Sequence, residues 1–219
     1  MKLIISGPPG SGKGTRASRI AKSLRIPHIS TGDLFRKEIA DGTDLGKNAK
    51  TIIDQGKLVP DEITTSMLKK RLQEEDCKNG FILDGFPRTI NQAELLGEIT
   101  DIHHFLNLEI SREMIIERIS SRRTCKGCGT IFNVKSMPPK VEGKCDHCSS
   151  DLVQRDDEKQ EVITQRLEVY ENQTKPLIQF YSELGLLRAL NGEIPVENQE
   201  FWNLLKDILK IEINLPENI

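Results

Sequence analysis

Three groups of residues have side chains and spacings suited to chemistry. The first is Gly7-Pro8-Pro9-Gly10-Ser11-Gly12-Lys13-Gly14-Thr15. Gly7, Gly12 and Lys13 fit the phosphate-loop pattern G-x-x-x-x-G-K, in which small residues let backbone N–H groups point inward at phosphate oxygens. The helix expected to follow adds its N-terminal partial positive charge, and Lys13 would reach the outer phosphates of a triphosphate. Gly14 stands where Ser or Thr usually supplies a Mg²⁺ ligand, and Thr15 follows it. The spacing leaves open whether Thr15 meets the metal or a phosphate.

The second group is Cys125-Lys126-Gly127-Cys128 and Cys145-Asp146-His147-Cys148, with 16 residues between the pairs. That spacing lies within the C-x2-C-x15–20-C-x2-C pattern for zinc. Four thiolates fill a tetrahedral shell and leave no position for water or substrate, so the site reads as structural. Gly127 and Gly129 allow the tight turns in which backbone N–H groups meet sulfur. A short insert buries little core, and a metal staple would supply its stability. His147 is an alternative ligand beside Cys148, but the paired spacing favours the thiolates. Cys77 stands alone and reads as an inert, partly buried side chain.

The third group is a set of arginines with one carboxylate. Arg36, Arg88, Arg118, Arg122, Arg155 and Arg166 are scattered along a chain whose net charge is −2. Guanidinium donates bidentate bonds to phosphate and never loses its charge. Arg118 and Arg122 are four apart, which on one helix would put them on one face. A net charge of this size gives no global attraction to nucleic acid or anionic lipid, so basic chemistry must be local. Asp84 ends the apolar run 81–84. Ligands of open α/β sheets sit beyond the carboxyl ends of strands, and a carboxylate there would face Mg²⁺ through water.

The elements that must position these groups follow from periodicity. Residues 2–6 are a short apolar run, and Ala17, Ile20, Ala21 and Leu24 fall at helical spacing, so the opening predicts strand, glycine loop, helix. Residues 27–30, 81–84, 104–108 and 186–190 are further strand candidates. Helical pattern is expected to about Lys57, over 61–76, from about Glu158, and over 196–210 with Trp202, Leu205 and Leu209 on one side. Ser111 is expected to N-cap a helix with Glu113 in its first turn. Residues 124–155 break the rhythm with cysteines, glycines and prolines. Strands alternating with helices predict an α/β fold with a parallel sheet covered on both faces. The N-terminal apolar run stops after three residues, too short for a signal peptide or membrane span. With paired cysteines suited to a reducing compartment, we expect a cytosolic protein with no membrane partner.

The loop variant GPPGSGKGT resembles that of the nucleoside-monophosphate kinases. Ser30-Thr31-Gly32-Asp33-Leu34 with Arg36 resembles their monophosphate-binding signature. Asp84-Gly85-Phe86-Pro87-Arg88-Thr89, with Gln92 after it, resembles the adenylate kinase signature, and Gly56-Lys57-Leu58-Val59 the segment that contacts the monophosphate's adenosine. The resemblance runs from Met1 to about Tyr181. It implies a fold of the P-loop NTPase type with a five-stranded parallel sheet, and reversible Mg²⁺-dependent transfer, ATP plus AMP giving two ADP, in purine nucleotide homeostasis. It implies a core of residues 1–29, 60–120 and 159–219, a monophosphate-binding subdomain of residues 30–59, and a zinc-binding lid of residues 121–158. Zinc-bearing lids occur among these kinases, and the segment with Cys125, Cys128, Cys145 and Cys148 resembles them.

The same resemblance assigns ATP to Gly10, Ser11, Gly12, Lys13, Gly14, Thr15, Arg118, Arg122, Ile131, Phe132 and the backbone carbonyl of Ile194. It assigns AMP to Thr31, Gly32, Arg36, Lys57, Leu58, Val59, Gly85, Phe86, Pro87, Arg88, Gln92, Arg155 and Arg166. Catalysis would rest on Lys13, Asp84, Arg88, Arg122, Arg155 and Arg166. Phe132 and Ile131 equally suit packing within the lid. Asp157-Glu158 departs from a family Asp-Asp pair, and Asn191-Gly192 from Asp-Gly. A monomer is expected, because the lids must move freely. No general base is found and none is required, since a phosphate monoester is largely ionised at neutral pH.

Two other readings make different demands. A UMP, CMP or GMP kinase would share the fold, but Thr31 and Gln92 favour adenine, since pyrimidine-specific relatives tend to carry a smaller residue at the Thr31 position. A zinc-ribbon nucleic-acid binder fused to a phosphate-loop ATPase would need aromatics among its basic residues. Residues 124–150 hold Lys126, Lys135, Lys140 and Lys144 but only Phe132 as an aromatic, so no nucleic-acid partner is expected. No N-K-x-D segment supports a GTPase.

Overall fold

The computed structural model describes residues 1–158 and 160–211. Residues 159 and 212–219, assigned to the core from sequence, lie outside the described residues. The opening apolar run is strand β1 (Lys2–Ser6), which leads through the glycine loop into α1 (Lys13–Leu24). Strands β2 (His28–Ser30), β3 (Phe81–Asp84), β4 (His104–Glu109) and β8 (Leu187–Asn191) join it in one sheet. The order is β2-β3-β1-β4-β8 and every pairing is parallel, as the alternation of strands and helices predicts.

Helices cover both faces, so the strands between them are apolar throughout; Leu3, Ile4 and Ile5 are fully buried. On one face α1 and α9 (Gln199–Leu209) pack Ala17, Ile20, Trp202 and Leu205 against Leu3, Ile5 and Leu106. On the other, α4 (Asp61–Leu72), α5 (Ile90–Ile99) and α8 (Leu177–Glu183) set Leu68, Leu96 and Leu177 against Ile4, Leu83 and Phe105. Trp202 Nε1 donates to the Val196 carbonyl at 2.9 Å, so this large side chain is buried without leaving a polar atom unpaired.

Register decides where the chemistry sits. Ile5 and Ser30 both lie opposite Asp84. The ends of β1, β2 and β3 are therefore level, and the glycine loop, the start of α2 (Thr31–Ala40) and Asp84 share one edge. The helix starts are fixed by hydroxyls: Ser30 accepts from Asp33 N, Thr43 from Gly46 N at the start of α3 (Asp44–Asp54), and Thr89 from Gln92 N. Ser111 departs from expectation. It precedes α6 (Arg112–Ser120), but its side chain makes no capping bond. Its N–H instead donates to Glu193 Oε1 at 3.1 Å, tying the helix start to the segment after β8.

Residues 122–153 form a second, antiparallel sheet of β5 (Arg122–Cys125), β6 (Ile131–Asn133) and β7 (Leu152–Val153), with its own core of Cys125, Phe132 and Cys145. This corrects the placing of Arg118 and Arg122 on one helix face. Helix α6 ends at Ser120, and Arg122 begins a strand opposite Asn133. Ladder bonds to β6 replace the helical ones there. After β7 come a 3₁₀ turn at Asp156–Glu158, α7 (Gln160–Val169) and a π-helical turn at Tyr170–Thr174. Among the described residues no helix is long and apolar enough to cross a membrane.

Candidate active site

The glycine loop bends back over the start of α1. Lys13 Nζ donates to the carbonyls of Gly7 at 2.8 Å and Pro8 at 2.9 Å, which holds the ammonium against the loop. Gly12 is left-handed, with φ 84°, and a Cβ there would lie 2.5 Å from Arg16 Nη1. The positive φ favours glycine, and a side chain there would also push the Arg16 guanidinium aside. Burial pushes the Lys13 ammonium down to about 7; Asp84 opposes the shift, while Arg88, Arg166 and Arg122 reinforce it. Three guanidinium groups drawn from β5, α7 and the loop after β3 thus stand close enough to repel it.

Each of these arginines is oriented by its own partners. Arg88 Nε donates to the Gly85 carbonyl at 2.8 Å, and Thr31 Oγ1 donates to the same oxygen at 2.8 Å. Gly85 is left-handed, at φ 79°, and a Cβ there would press on Arg88 Nη2 at 2.8 Å and Thr31 Oγ1 at 3.0 Å, displacing the guanidinium. Gln92 braces the loop from below. Its Oε1 accepts from Arg88 N at 2.7 Å, and its Nε2 donates to Asp61 Oδ1 at 2.7 Å. Burial, then repulsion from Arg166, lowers Arg88 to about 10. Arg36 pairs with Asp33; burial works against that carboxylate, but Arg36 outweighs it and holds the pKa below the usual range.

Arg166 Nη1 donates to Asp157 Oδ2 at 2.7 Å and to the Asp157 carbonyl at 3.0 Å. Arg122 forms an ion pair with Glu158, which is fully buried, and Arg155 Nη1 lies 3.9 Å from the same carboxylate. One buried acid therefore holds two arginines. Burial, followed by Arg36 and Arg122, lowers Arg155 to about 10. The Nε atoms of Arg122 and Arg155 and Glu158 Oε2 are buried without protein partners. A cluster of cations with spare donors is short of anions, and phosphate is the group that would supply them.

These groups face one cleft of about 1120 Å³. It is lined by Gly10, Gly12, Lys13, Gly14 and Thr15; by Thr31, Gly32, Arg36, Lys57, Leu58 and Val59; by Asp84, Gly85, Pro87, Arg88 and Gln92; and by Arg118, Arg122, Ile131, Phe132, Arg155 and Arg166. Three expected residues do not line it. Phe86 is buried in the core beside Leu83, Ser11 is fully buried with its hydroxyl unpartnered, and the Ile194 carbonyl accepts from Arg16 Nη2 at 2.6 Å. Phe132 packs on Cys125 and Cys145 and also lines the cleft.

Sequence reasoning missed Arg16, His28 and Asp61, and it singled out Asp157 without the bond to Arg166. Arg16 and Ile20 are four apart on the buried face of α1, a signal too weak to separate a buried arginine from a solvated one. His28 Nε2 lies 3.3 Å from Asp84 Oδ2, a contact made only by strand pairing. Asp84 Oδ2 would lie 3.4 Å from a Cβ at Gly14, so this carboxylate stands over the first turn of α1 beside Thr15.

The four cysteines form the other constellation. Their sulfurs all lie within 4.8 Å of one another, with Cys125 and Cys148 at 3.4 Å and Cys128 and Cys145 at 3.5 Å. Cys128 N donates to Cys125 Sγ and His147 N to Cys145 Sγ. This donor set fits one tetrahedral metal ion, held by the thiolates with His147 exposed outside. Cys77 is buried well away, and burial pushes its thiol up to about 11, which suits an inert side chain.

A parallel sheet with a glycine phosphate loop after its central strand, opening on a cleft of convergent cations, defines a phosphate-loop nucleotide-binding protein. The family model for adenylate kinase matches residues 5–186. An adenylate kinase of Clostridium perfringens strain SM101 is 48% identical over 211 residues, covering 94% of this chain and 97% of the relative. One from Thermosipho africanus is 46% identical over 216 residues, covering 96% and 99%, and one from Thermoanaerobacter sp. strain X514 is 50% identical over 202 residues, covering 90% and 93%. The chain belongs to the adenylate kinase family.

Proposed function

We propose that the chain transfers the γ-phosphoryl group of ATP to AMP, reversibly, giving two ADP. One observation carries this reading: Lys13, Arg88, Arg122 and Arg166 act on one another electrostatically within a single cleft. In the free protein that arrangement is costly, and two polyphosphates meeting end to end would relieve it. Arg88 and Arg36 hold the AMP phosphate, beside Thr31 and Gly32, while Lys57, Leu58, Val59 and Gln92 flank the nucleoside. Lys13 and the loop from Gly10 to Thr15 hold the ATP phosphates. Arg122, Arg155 and Arg166 neutralise the transferring group.

An AMP phosphate oxygen attacks the γ-phosphorus, and the electron pair of the broken bond leaves on the β-phosphate. That oxygen is largely ionised at neutral pH, so no protein group need remove a proton. Catalysis then consists of alignment and charge stabilisation. Asp84 would hold Mg²⁺ through water, and the ion would spread the charge of the ATP phosphates. Zinc at the four cysteines would be structural, because the sulfurs fill its shell.

Residues 30–59 and 121–158 act as moving covers over a core of residues 1–29, 60–120 and 159–219. The division is supported by separate apolar clusters, one around Phe35, Ala49 and Val59 and one around Cys125, Phe132 and Cys145. Closure over both nucleotides excludes water, the competing acceptor. We expect a cytoplasmic monomer without nucleic-acid or membrane partners. A coupled assay of ADP formation from ATP tests the reading with AMP, UMP, CMP and GMP as acceptors. AMP should be the substrate, and turnover of UMP but not AMP would reverse the assignment.

A further inference from the structure

Asp61 is a carboxylate that the proposed reaction does not use. It is the first residue of α4 and follows Val59 and Pro60, where the segment that flanks the acceptor nucleoside ends. It is half-buried and does not line the cleft. Three donors from the start of α5 converge on it. Oδ2 accepts from Thr89 Oγ1 and from Asn91 Nδ2, both at 2.9 Å, and Oδ1 accepts from Gln92 Nε2 at 2.7 Å. Thr89 is also the N-cap of α5, and its hydroxyl oxygen accepts from Gln92 N at 3.1 Å. The carboxylate therefore holds the Gln92 side chain directly and the Gln92 backbone by way of Thr89.

Gln92 is 2% exposed and lines the cleft. Its amide has two acceptor lone pairs and two N–H donors. Arg88 N takes one lone pair at 2.7 Å and Asp61 takes one hydrogen, so one acceptor site and one donor site remain. The sense of the amide is fixed from both ends. A backbone N–H only donates and a carboxylate only accepts, so turning the amide over would set two donors against each other at Arg88 and two acceptors at Asp61. A 6-aminopurine offers the matching edge, an amino hydrogen on N6 and a lone pair on N1. A 6-oxopurine offers the reverse, an oxygen at O6 and a hydrogen on N1. Thr31 adds to the same sense, because its hydroxyl hydrogen is spent on the Gly85 carbonyl and leaves the oxygen an acceptor.

We propose that Asp61 is a positioning residue for the acceptor nucleotide: from outside the cleft it holds the Gln92 amide in the one sense that pairs with a 6-aminopurine, and so makes the enzyme select AMP over a 6-oxopurine monophosphate. The inference rests on the reading that the acceptor nucleoside lies against Gln92. The same carboxylate joins two walls of that nucleoside site, because Asp61 continues the segment 57–59 and its oxygens are bonded to the start of α5.

The test is steady-state kinetics with AMP and with IMP as acceptor, and with ATP varied at saturating AMP. In the unaltered protein AMP should exceed IMP in kcat/KM by about hundredfold. Asp61→Ala should raise KM for AMP about tenfold, leave KM for ATP within about twofold, and cut the preference for AMP over IMP about tenfold, since only Arg88 N then opposes turning the amide. Asp61→Asn should restore most of the preference, because its carbonyl oxygen still meets Gln92 Nε2 and its own amide finds the Thr89 hydroxyl oxygen. A merely structural tie between α4 and α5 would lower Tm and slow both acceptors together. An unmoved ratio therefore overturns the inference, as does an Asp61→Asn variant no better than Asp61→Ala. If Asp61→Ala does not fold, the side-chain amide protons of Gln92 in the unaltered protein decide by NMR. The one donated to Asp61 should exchange slowly with solvent in the free protein, and the other should slow on adding AMP but not on adding IMP. Two fast protons, or slowing by both nucleotides, would contradict the proposal. Failure of AMP to take phosphate from ATP at all would overturn the reaction itself, an outcome distinct from AMP accepted with an unmoved ratio.

Discussion

The phosphate cleft and the cysteine cluster answer opposite demands with similar local means. Both are built on tight turns at glycine, Gly12 and Gly85 in one and Gly129 in the other, each with positive φ. In the cluster the N–H groups of Cys128 and His147 point inward at sulfur. The cluster closes on itself: four sulfurs lie within 4.8 Å, a set that would satisfy one ion completely. The cleft stays open, with Lys13, Arg88, Arg155 and Arg166 all shifted down by burial and by neighbouring cations. A site that is complete with its metal contributes stability, whereas a site left short of anions costs stability and returns it on binding. Function should therefore be lost without unfolding in the cleft, and stability lost first in the cluster.

The largest effect should come from Lys13→Met. Removing the ammonium from the centre of the cleft should lower kcat by about a thousandfold. It should leave Tm unchanged or higher, because the lost cation is one that Arg88, Arg166 and Arg122 repel. A coupled assay with calorimetry on the same sample checks both, and turnover near that of the unaltered protein would erase the contrast. The cluster should respond the other way. Removing metal with a chelator, or Cys128→Ala, should lower Tm by roughly 10 °C, with metal release measured alongside. An unmoved Tm would mean that the thiolates do not staple this segment.

Glu158 lies where the two regions meet, and it sharpens the comparison. It is the buried acid that holds Arg122 and Arg155. Glu158→Gln should cost about 3 kcal/mol in urea unfolding, since it leaves buried guanidinium groups without their anion. A neutral result would mean that the arginines are solvated in the free protein.

The smallest effect is a proton. Burial and the neighbouring arginines push the Lys13 ammonium down to about 7, and phosphate binding must raise it toward the ordinary lysine value. Below about pH 7 the amine is already charged and binding takes up nothing. Between there and the bound-state value, ATP binding should be accompanied by uptake of up to about one proton. Calorimetric titrations at about pH 6 and pH 8, in buffers of different ionisation enthalpy, measure it. Proton release, or equal uptake at both pH values, would contradict the assignment.

Much of this was legible in the residues, because it depended on local pattern. The glycine loop, the alternation of strand and helix and the two cysteine pairs are written within short windows, and the five-stranded parallel sheet follows from them. What escaped depends on contacts between distant segments. Gln92 braces Arg88 against Asp61, 31 residues away. His28 meets Asp84 only through strand pairing, and Arg16 meets Gly192 across 176 residues. Arg122 was misplaced because helical spacing continues past Ser120, whereas the chain turns there into a strand that pairs with β6. Ser111 had the right residue type for a cap and the wrong geometry, a distinction composition does not carry.

The central claim is that one cleft holds two nucleotides with their phosphates facing, and phosphorus NMR of a mixture tests it most directly. Equal ATP and AMP with Mg²⁺ should convert to ADP until all three coexist, with no inorganic phosphate released, and ATP alone should stay intact. Steady release of inorganic phosphate from ATP without AMP, or ATP and AMP left unchanged together, would contradict it.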